Sequence, residues 1–171
     1  MKYQSKIVGL GPDALAFLED EDMNFIIIFN EDAPPELAEL SVLHTKAELK
    51  EDPAVGDTLK IGNKEFKVSA VGWEAPHTWA ELGHCTLDFK GGSEAERPGC
   101  ISLEGNKLTA EDLYKFGIIE KIIYEGEKSA EDIGLELKTE LLNEINNKSR
   151  FTIENLLEHR YNRFRKIGAE Q

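Results

Sequence analysis

The longest apolar run is Phe25-Ile26-Ile27-Ile28-Phe29, rich in β-branched and aromatic side chains. A run that short with those residue types predicts a strand over 24–29, buried on both faces. Ala33-Pro34-Pro35 ends it. Residues 2–8 alternate weakly, and 40–43 form a short apolar strand that delivers His44 at its end. The alternating runs 58–61 and 65–68 flank Gly62-Asn63-Lys64 and predict a hairpin. Two more short strands are predicted at 86–89 and 100–103. Glycines punctuate the segments between them, at 72, 83, 91, 92, 99 and 105. Many short strands separated by glycine turns predict a mainly β fold, a small barrel or sandwich.

The period changes after Gly126. Ser129 precedes Ala130-Glu131-Asp132 as an N-cap with acids in the first turn. Ile133, Leu137, Leu141 and Ile145 then recur every fourth residue, the stripe of an amphipathic helix. Asn146-Asn147-Lys148-Ser149 interrupts it. A second helix follows Thr152, with Ile153, Leu156, Leu157, Tyr161 and Phe164 on one face. The chain therefore divides into a β unit over 1–124 and an α-helical hairpin over 125–171. The hairpin has too little core to stand alone, so its apolar faces are expected to meet the β unit or a second copy of the chain, a homodimer being favoured.

Composition narrows the function. The 171 residues are 40% hydrophobic and carry a formal net charge of −13. Such a charge argues against non-specific nucleic-acid binding, which phosphate repulsion would oppose, and it favours basic partners. The exception is the end of the chain. Between 148 and 171 six basic residues face three acidic ones. Five consecutive apolar residues are far from the roughly 20 that cross a bilayer, and the N-terminus lacks a secretory apolar stretch. A cytoplasmic location is expected. Cys85 and Cys100 form no CxxC pair and are expected as reduced thiols.

Chemistry is concentrated in the histidines, at 44, 77, 84 and 159. His44 ends a strand and is followed by Thr45 and Lys46. A neutral imidazole is a nucleophile towards phosphorus, and a hydroxyl, a backbone N–H and a cation nearby are what phosphoryl transfer requires. His84 follows Gly83, which permits a sharp turn or a close backbone approach. A second imidazole there would steady a phosphoryl group or fix the first ring's tautomer. Zinc is the rival, since His44, His84, Cys85 and Cys100 are acceptable ligands. Their spacing matches no familiar zinc pattern, and adjacent residues 84 and 85 would face opposite sides of a strand. No metal and no cofactor are expected, and no nucleotide-binding or hydrolase motif is present.

These segments carry a resemblance. Leu43-His44 is followed by Glu48-Leu49-Lys50, then Gly56, the 59–68 hairpin and Ala70-Val71-Gly72. Glu81-Leu82-Gly83-His84 continues into Thr86-Leu87 and Phe89, and Glu94-Ala95-Glu96 precedes Pro98-Gly99. In this order and spacing, residues 1 to about 122 resemble the glucitol/sorbitol-specific IIA family of the bacterial sugar phosphotransferase system. The resemblance implies a small closed β-barrel and a phosphohistidine carrier. It implies phosphate taken from the phosphocarrier protein HPr and passed to a cysteine on the IIB domain of a membrane-embedded permease. The family's phosphorylated histidine falls on His44, and the histidine of its Gly-His-x-Thr-Leu stretch falls on His84 in a supporting role. Cys85 and Asp88 depart from the pattern, and Asp88 would weaken phosphate affinity if it faced the site. Residues 125–171 have no counterpart in the pattern. The alternative they leave open is a non-catalytic regulatory or binding module on the same barrel, with the helical tail as its interaction element.

Overall fold

The computed structural model describes residues 1–166 apart from Glu19, Glu21, Gly117, Glu120 and Glu125, and for 159 and 163–166 the backbone alone. In chain order the elements are β1 (Ile7–Leu10), β2 (Phe25–Asn30), α1 (Pro35–Ala38), β3 (Val42–His44), β4 (Thr58–Ile61), β5 (Lys64–Val71), α2 (Ala75–Leu82), β6 (Cys85–Asp88), β7 (Cys100–Glu104), α3 (Ala110–Lys115), α4 (Ala130–Lys148) and α5 (Ile153–Lys166). The strands form one sheet in the order β1-β3-β2-β6-β7-β5-β4. Two neighbouring pairs are parallel, β2 with β3 and β6 with β7, and the others are antiparallel.

The sheet curls because its two faces differ. Ile28 pairs with Val42 on one side and Cys85 on the other, and Leu87 pairs with Ile101. These residues share one face with Val68 and Leu103, and all belong to the buried core. Apolar side chains on that face draw the strands around themselves, and burying each contributes about 1.5–3 kcal/mol. Phe66, Trp79, Leu108 and Leu113 fill the same interior.

The fold is mainly β with C-terminal helices, as the pattern predicts, and the sheet is a curled half-barrel. The closure expected of a full barrel is not made by a strand pair among the described residues, since β1 and β4 end the ladder. After β7, Thr109 and Asp112 form a capping box that starts α3. The gap is spanned near Lys2, whose Nζ donates to Asp57 Oδ2 at 2.8 Å and to the Asp52 carbonyl at 3.1 Å.

Local signals account for the rest. Gly62, at φ +59°, makes the β4–β5 turn, in the left-handed region that glycine enters without penalty. Ser129 caps α4 in a capping box with Asp132, and the Thr152 hydroxyl accepts from Asn155 N ahead of α5. No α4 residue is buried, and Leu137, Leu141 and Ile145 are about half exposed or more. The helix is tied down by ion pairs, Lys121 to Glu140 and Lys128 to Glu136. Phe164 of the second expected stripe, and the side chains of Arg163, Arg165, Lys166 and His159, lie outside the described residues.

Leu103, fully buried in β7, is the sharpest test of this core. Leu103→Ala is expected to cost about 2–5 kcal/mol, measured as a lower urea midpoint with an unchanged m-value.

Candidate functional site

His44 is the last residue of β3, between two strands. Its Cα is the ladder partner of Asn30 in β2 and of Ile7 in β1. Val42, two residues back, is in the core, so His44 points to the concave face. Only 3% of the residue is exposed.

Its ring is held at both nitrogens. Nε2 lies 2.9 Å from the Gly83 carbonyl oxygen, and Nδ1 lies 3.0 Å from the Thr45 carbonyl and 3.3 Å from the Tyr3 hydroxyl. Carbonyl oxygens accept only. A neutral imidazole carries one N–H, so it satisfies one of the two carbonyls and sets a lone pair against the other. Tyr3 covers the ring edge-on at 6.0 Å between centroids and rests on Trp79 at 5.0 Å.

The Gly83 carbonyl is placed by a helix absent from the predicted elements. Pro76 stands at the start of α2, and Gly83 ends it with φ +63°, a left-handed cap. Gly83 N donates to the Trp79 carbonyl and His84 N to the Thr78 carbonyl. That closure aims the Gly83 C=O at His44. A proline near the start and a glycine just past the end are a readable helix signature, and with Tyr3 they are the site features the sequence reading missed.

Other expectations are relocated. Thr45 was expected to offer its hydroxyl and N–H, but its N donates to the Lys6 carbonyl and its Oγ1 accepts from Lys6 N. The Lys46 ammonium pairs with Asp32 at 2.6 Å, which holds the Asp32 carboxyl below its usual range. His84 sits 3.3 Å through Nδ1 from the Ile28 carbonyl, its ring 4.9 Å from Phe29. Phe29 alternates with Ile28 and Asn30, so His84 lies on the face of the sheet opposite His44. The two histidines are linked through Gly83, whose carbonyl meets His44 and whose chain neighbour is His84. Burial pushes the His84 pKa down, against the smaller opposing effect of the Ile28 carbonyl. Asp88 shares the His84 face, where it accepts from Lys90 N at 2.9 Å. Its charge is therefore directed at Lys90 and not at His44.

Among the described residues no cluster of three or more His, Cys, Asp or Glu is placed to hold a metal ion. Cys85 and Cys100 are free and buried. Burial raises both thiols, Cys100 to about 11 and Cys85 further, which keeps them protonated and poor zinc ligands. His77 is exposed on α2, 3.5 Å from Glu81. No helix among the described residues is long and apolar enough to cross a membrane.

The curled half-barrel thus holds one buried histidine at the end of β3, the strand next to the sheet's edge. A solved structure titled as a PTS system IIA component, from Enterococcus faecalis V583, shares this fold with a TM-score of 0.50 at 24% identity, over 61% of this chain and 91% of that one. Residues 2–116 match the PTS system glucitol/sorbitol-specific IIA component family, and the chain belongs to that family. The glucitol/sorbitol-specific EIIA component of Escherichia coli K12 is 38% identical over 103 residues, 60% of this chain and 81% of that protein. The role of the β unit is that of a phosphocarrier in the sugar phosphotransferase system, a phosphotransferase activity that works between a phosphocarrier protein and a IIB component.

A second likeness covers the C-terminal part. Residues 101–168 match a family described as acetyl co-enzyme A carboxylase carboxyltransferase-like. The carboxyl transferase α subunit of Streptococcus thermophilus is 36% identical over 84 residues, 49% of this chain and 31% of that protein. The two family matches overlap over residues 101–116, which are β7, α3 and the loop joining them.

Gly83 tests the clamp. A Cβ at that position would lie 2.2 Å from Asn30 Oδ1 and 2.8 Å from His44 Cε1. Gly83→Ala also places a side chain at positive φ, at roughly 1–2 kcal/mol. The variant is expected to lose at least that much stability in urea melts and to show a displaced His44 ring by NMR.

Proposed function

We propose that His44 is the residue that accepts the phosphoryl group, from the phosphohistidine of HPr, and passes it to a cysteine of the IIB component for glucitol/sorbitol uptake. The observation that carries this reading is the placement of His44 at a strand end, with its ring fixed through both nitrogens, inside the family-matched segment. In the transfer the phosphorus–nitrogen bond of the donor breaks with its electron pair returning to the donor ring. The lone pair of one His44 nitrogen forms the new bond, and the proton on the other nitrogen stays. That nitrogen continues to donate to its carbonyl and holds the ring in register, while the attacking nitrogen must leave the carbonyl opposite it. Because His44 is 3% exposed, the Tyr3 segment has to swing aside before HPr can reach the ring. His84 supports the site from the far face: its bond to the Ile28 carbonyl anchors the segment whose Gly83 C=O holds His44. The protein works in the cytoplasm in this reading.

Residues 125–171 are assigned to assembly of two copies. Leu137, Leu141 and Ile145 form an exposed apolar stripe on α4, and Ile153 and Leu157 extend another on α5. Apolar surface of this extent favours an interface. The likeness of this part to an α subunit fits a role in assembly.

Exposure to phosphorylated HPr should give one acid-labile phosphate, mapped to His44 by mass spectrometry at neutral pH and absent from His44→Ala. His84→Ala should remain folded and accept phosphate about 10-fold more slowly. Labelling that persists in His44→Ala would move the nucleophile elsewhere. For the tail, light scattering should give the mass of a dimer, and Leu141→Asp should halve it with labelling intact. An unchanged mass would leave α4 outside the interface.

A further inference from the structure

We propose that Asn30 binds the phosphoryl group on His44, donating from its carboxamide to a phosphoryl oxygen. The inference rests on the reading of His44 as the acceptor and adds a residue to it.

Asn30 is the last residue of β2 and the direct ladder partner of His44. Partners in a parallel ladder project to the same side, so both side chains enter the concave face. Asn30 is 8% exposed, and its Oδ1 is buried without a hydrogen-bond partner. Native proteins rarely leave such an atom unpaired without a reason. Its surroundings supply one. Asn30 Oδ1 and His44 Cε1 flank the same point above Gly83, 2.2 and 2.8 Å from where a Cβ would stand. Cε1 is the ring carbon between the two nitrogens, so the carboxamide stands beside the ring whichever nitrogen carries phosphate. The absence of a side chain at residue 83 is what lets the Asn30 carboxamide and the His44 ring come together over it.

The orphaned acceptor becomes a donor without rebuilding the site. A half-turn of the carboxamide exchanges C=O for NH2, two groups of nearly equal size. A phosphoryl group presents oxygens that only accept and carry negative charge. Thr45 N is engaged by Lys6 O and Lys46 by Asp32, which leaves the Tyr3 hydroxyl beside Nδ1 as the other donor at the ring. In the unphosphorylated protein Asn30 Oδ1 waits unpaired; on phosphorylation the carboxamide turns and its NH2 pairs with a phosphoryl oxygen. The bonds made and broken are those of the transfer itself, and Asn30 exchanges no proton.

The test uses the full chain and phosphorylated HPr. Wild-type protein is first mapped by mass spectrometry, and phosphate found away from His44 overturns the underlying assignment independently of Asn30. With the label on His44, Asn30→Asp keeps the shape but offers no N–H at neutral pH, and transfer is expected to slow about 10- to 100-fold. Asn30→Ala should slow it less and shorten the life of the phosphohistidine. The wild-type Asn30 side-chain NH2 resonance, followed by 15N-edited NMR, should shift downfield on phosphorylation, a readout that holds even if a variant fails to fold. An unmoved Asn30 NH2 resonance overturns the proposal. So does wild-type transfer and phosphohistidine lifetime in folded Asn30→Ala.

Discussion

The structure depends on the contact between His44 Nε2 and the Gly83 carbonyl, 2.9 Å across the joint between the sheet and α2. Two constraints meet there. Parallel pairing of β3 with β2 fixes the His44 Cα beside Asn30, and the left-handed cap of α2 fixes the direction of the Gly83 C=O. A Cβ at residue 83 would break the arrangement on both sides. The ring is thus presented by backbone, whose positions are set by the core and by helix geometry. A ring held this way would lose little orientational freedom in the proposed transfer, which is where positioned groups gain their rate advantage.

The two sides of the ring differ: Nε2 meets the Gly83 carbonyl, which suits an N–H there, while Nδ1 meets the Thr45 carbonyl and also the Tyr3 hydroxyl, a group able to donate to a bare nitrogen. This is a closed arrangement. Tyr3 closes it from outside and Trp79 supports Tyr3. The N-terminal segment that carries Tyr3 is paired with 45–50 through Thr45 and Lys50, so movement there is coupled to the strand end that bears His44.

Much of this was legible in the residues. The β-branched run at 25–29, the glycine turn at 62 and the Ser129 cap lie where period and turn chemistry place them, because each is a local signal. His44 was found by its strand-end position, although β3 extends to include it. What escaped was non-local. The eight residues of α2 look too short and polar for a confident stripe, and only Pro76 and Gly83 mark their bounds. That Thr45 and Lys46 are engaged with Lys6 and Asp32, and that His84 faces away from His44, depend on register across three strands. That the curl stops at a half-barrel, with β1 and β4 at its two edges, also depends on register across the whole sheet. The change of family likeness falls at residues 101–116.

The central claim is that His44, and no other histidine, changes its chemistry at a ring nitrogen that now faces a carbonyl. The most direct measurement is long-range 1H–15N NMR of all four imidazoles before and after exposure to phosphorylated HPr. The account predicts that one His44 ring nitrogen acquires phosphorus coupling while the other keeps its proton, with His77 and His159 unmoved. Phosphorus coupling at His84 or another histidine, with the His44 nitrogens unchanged, would contradict it.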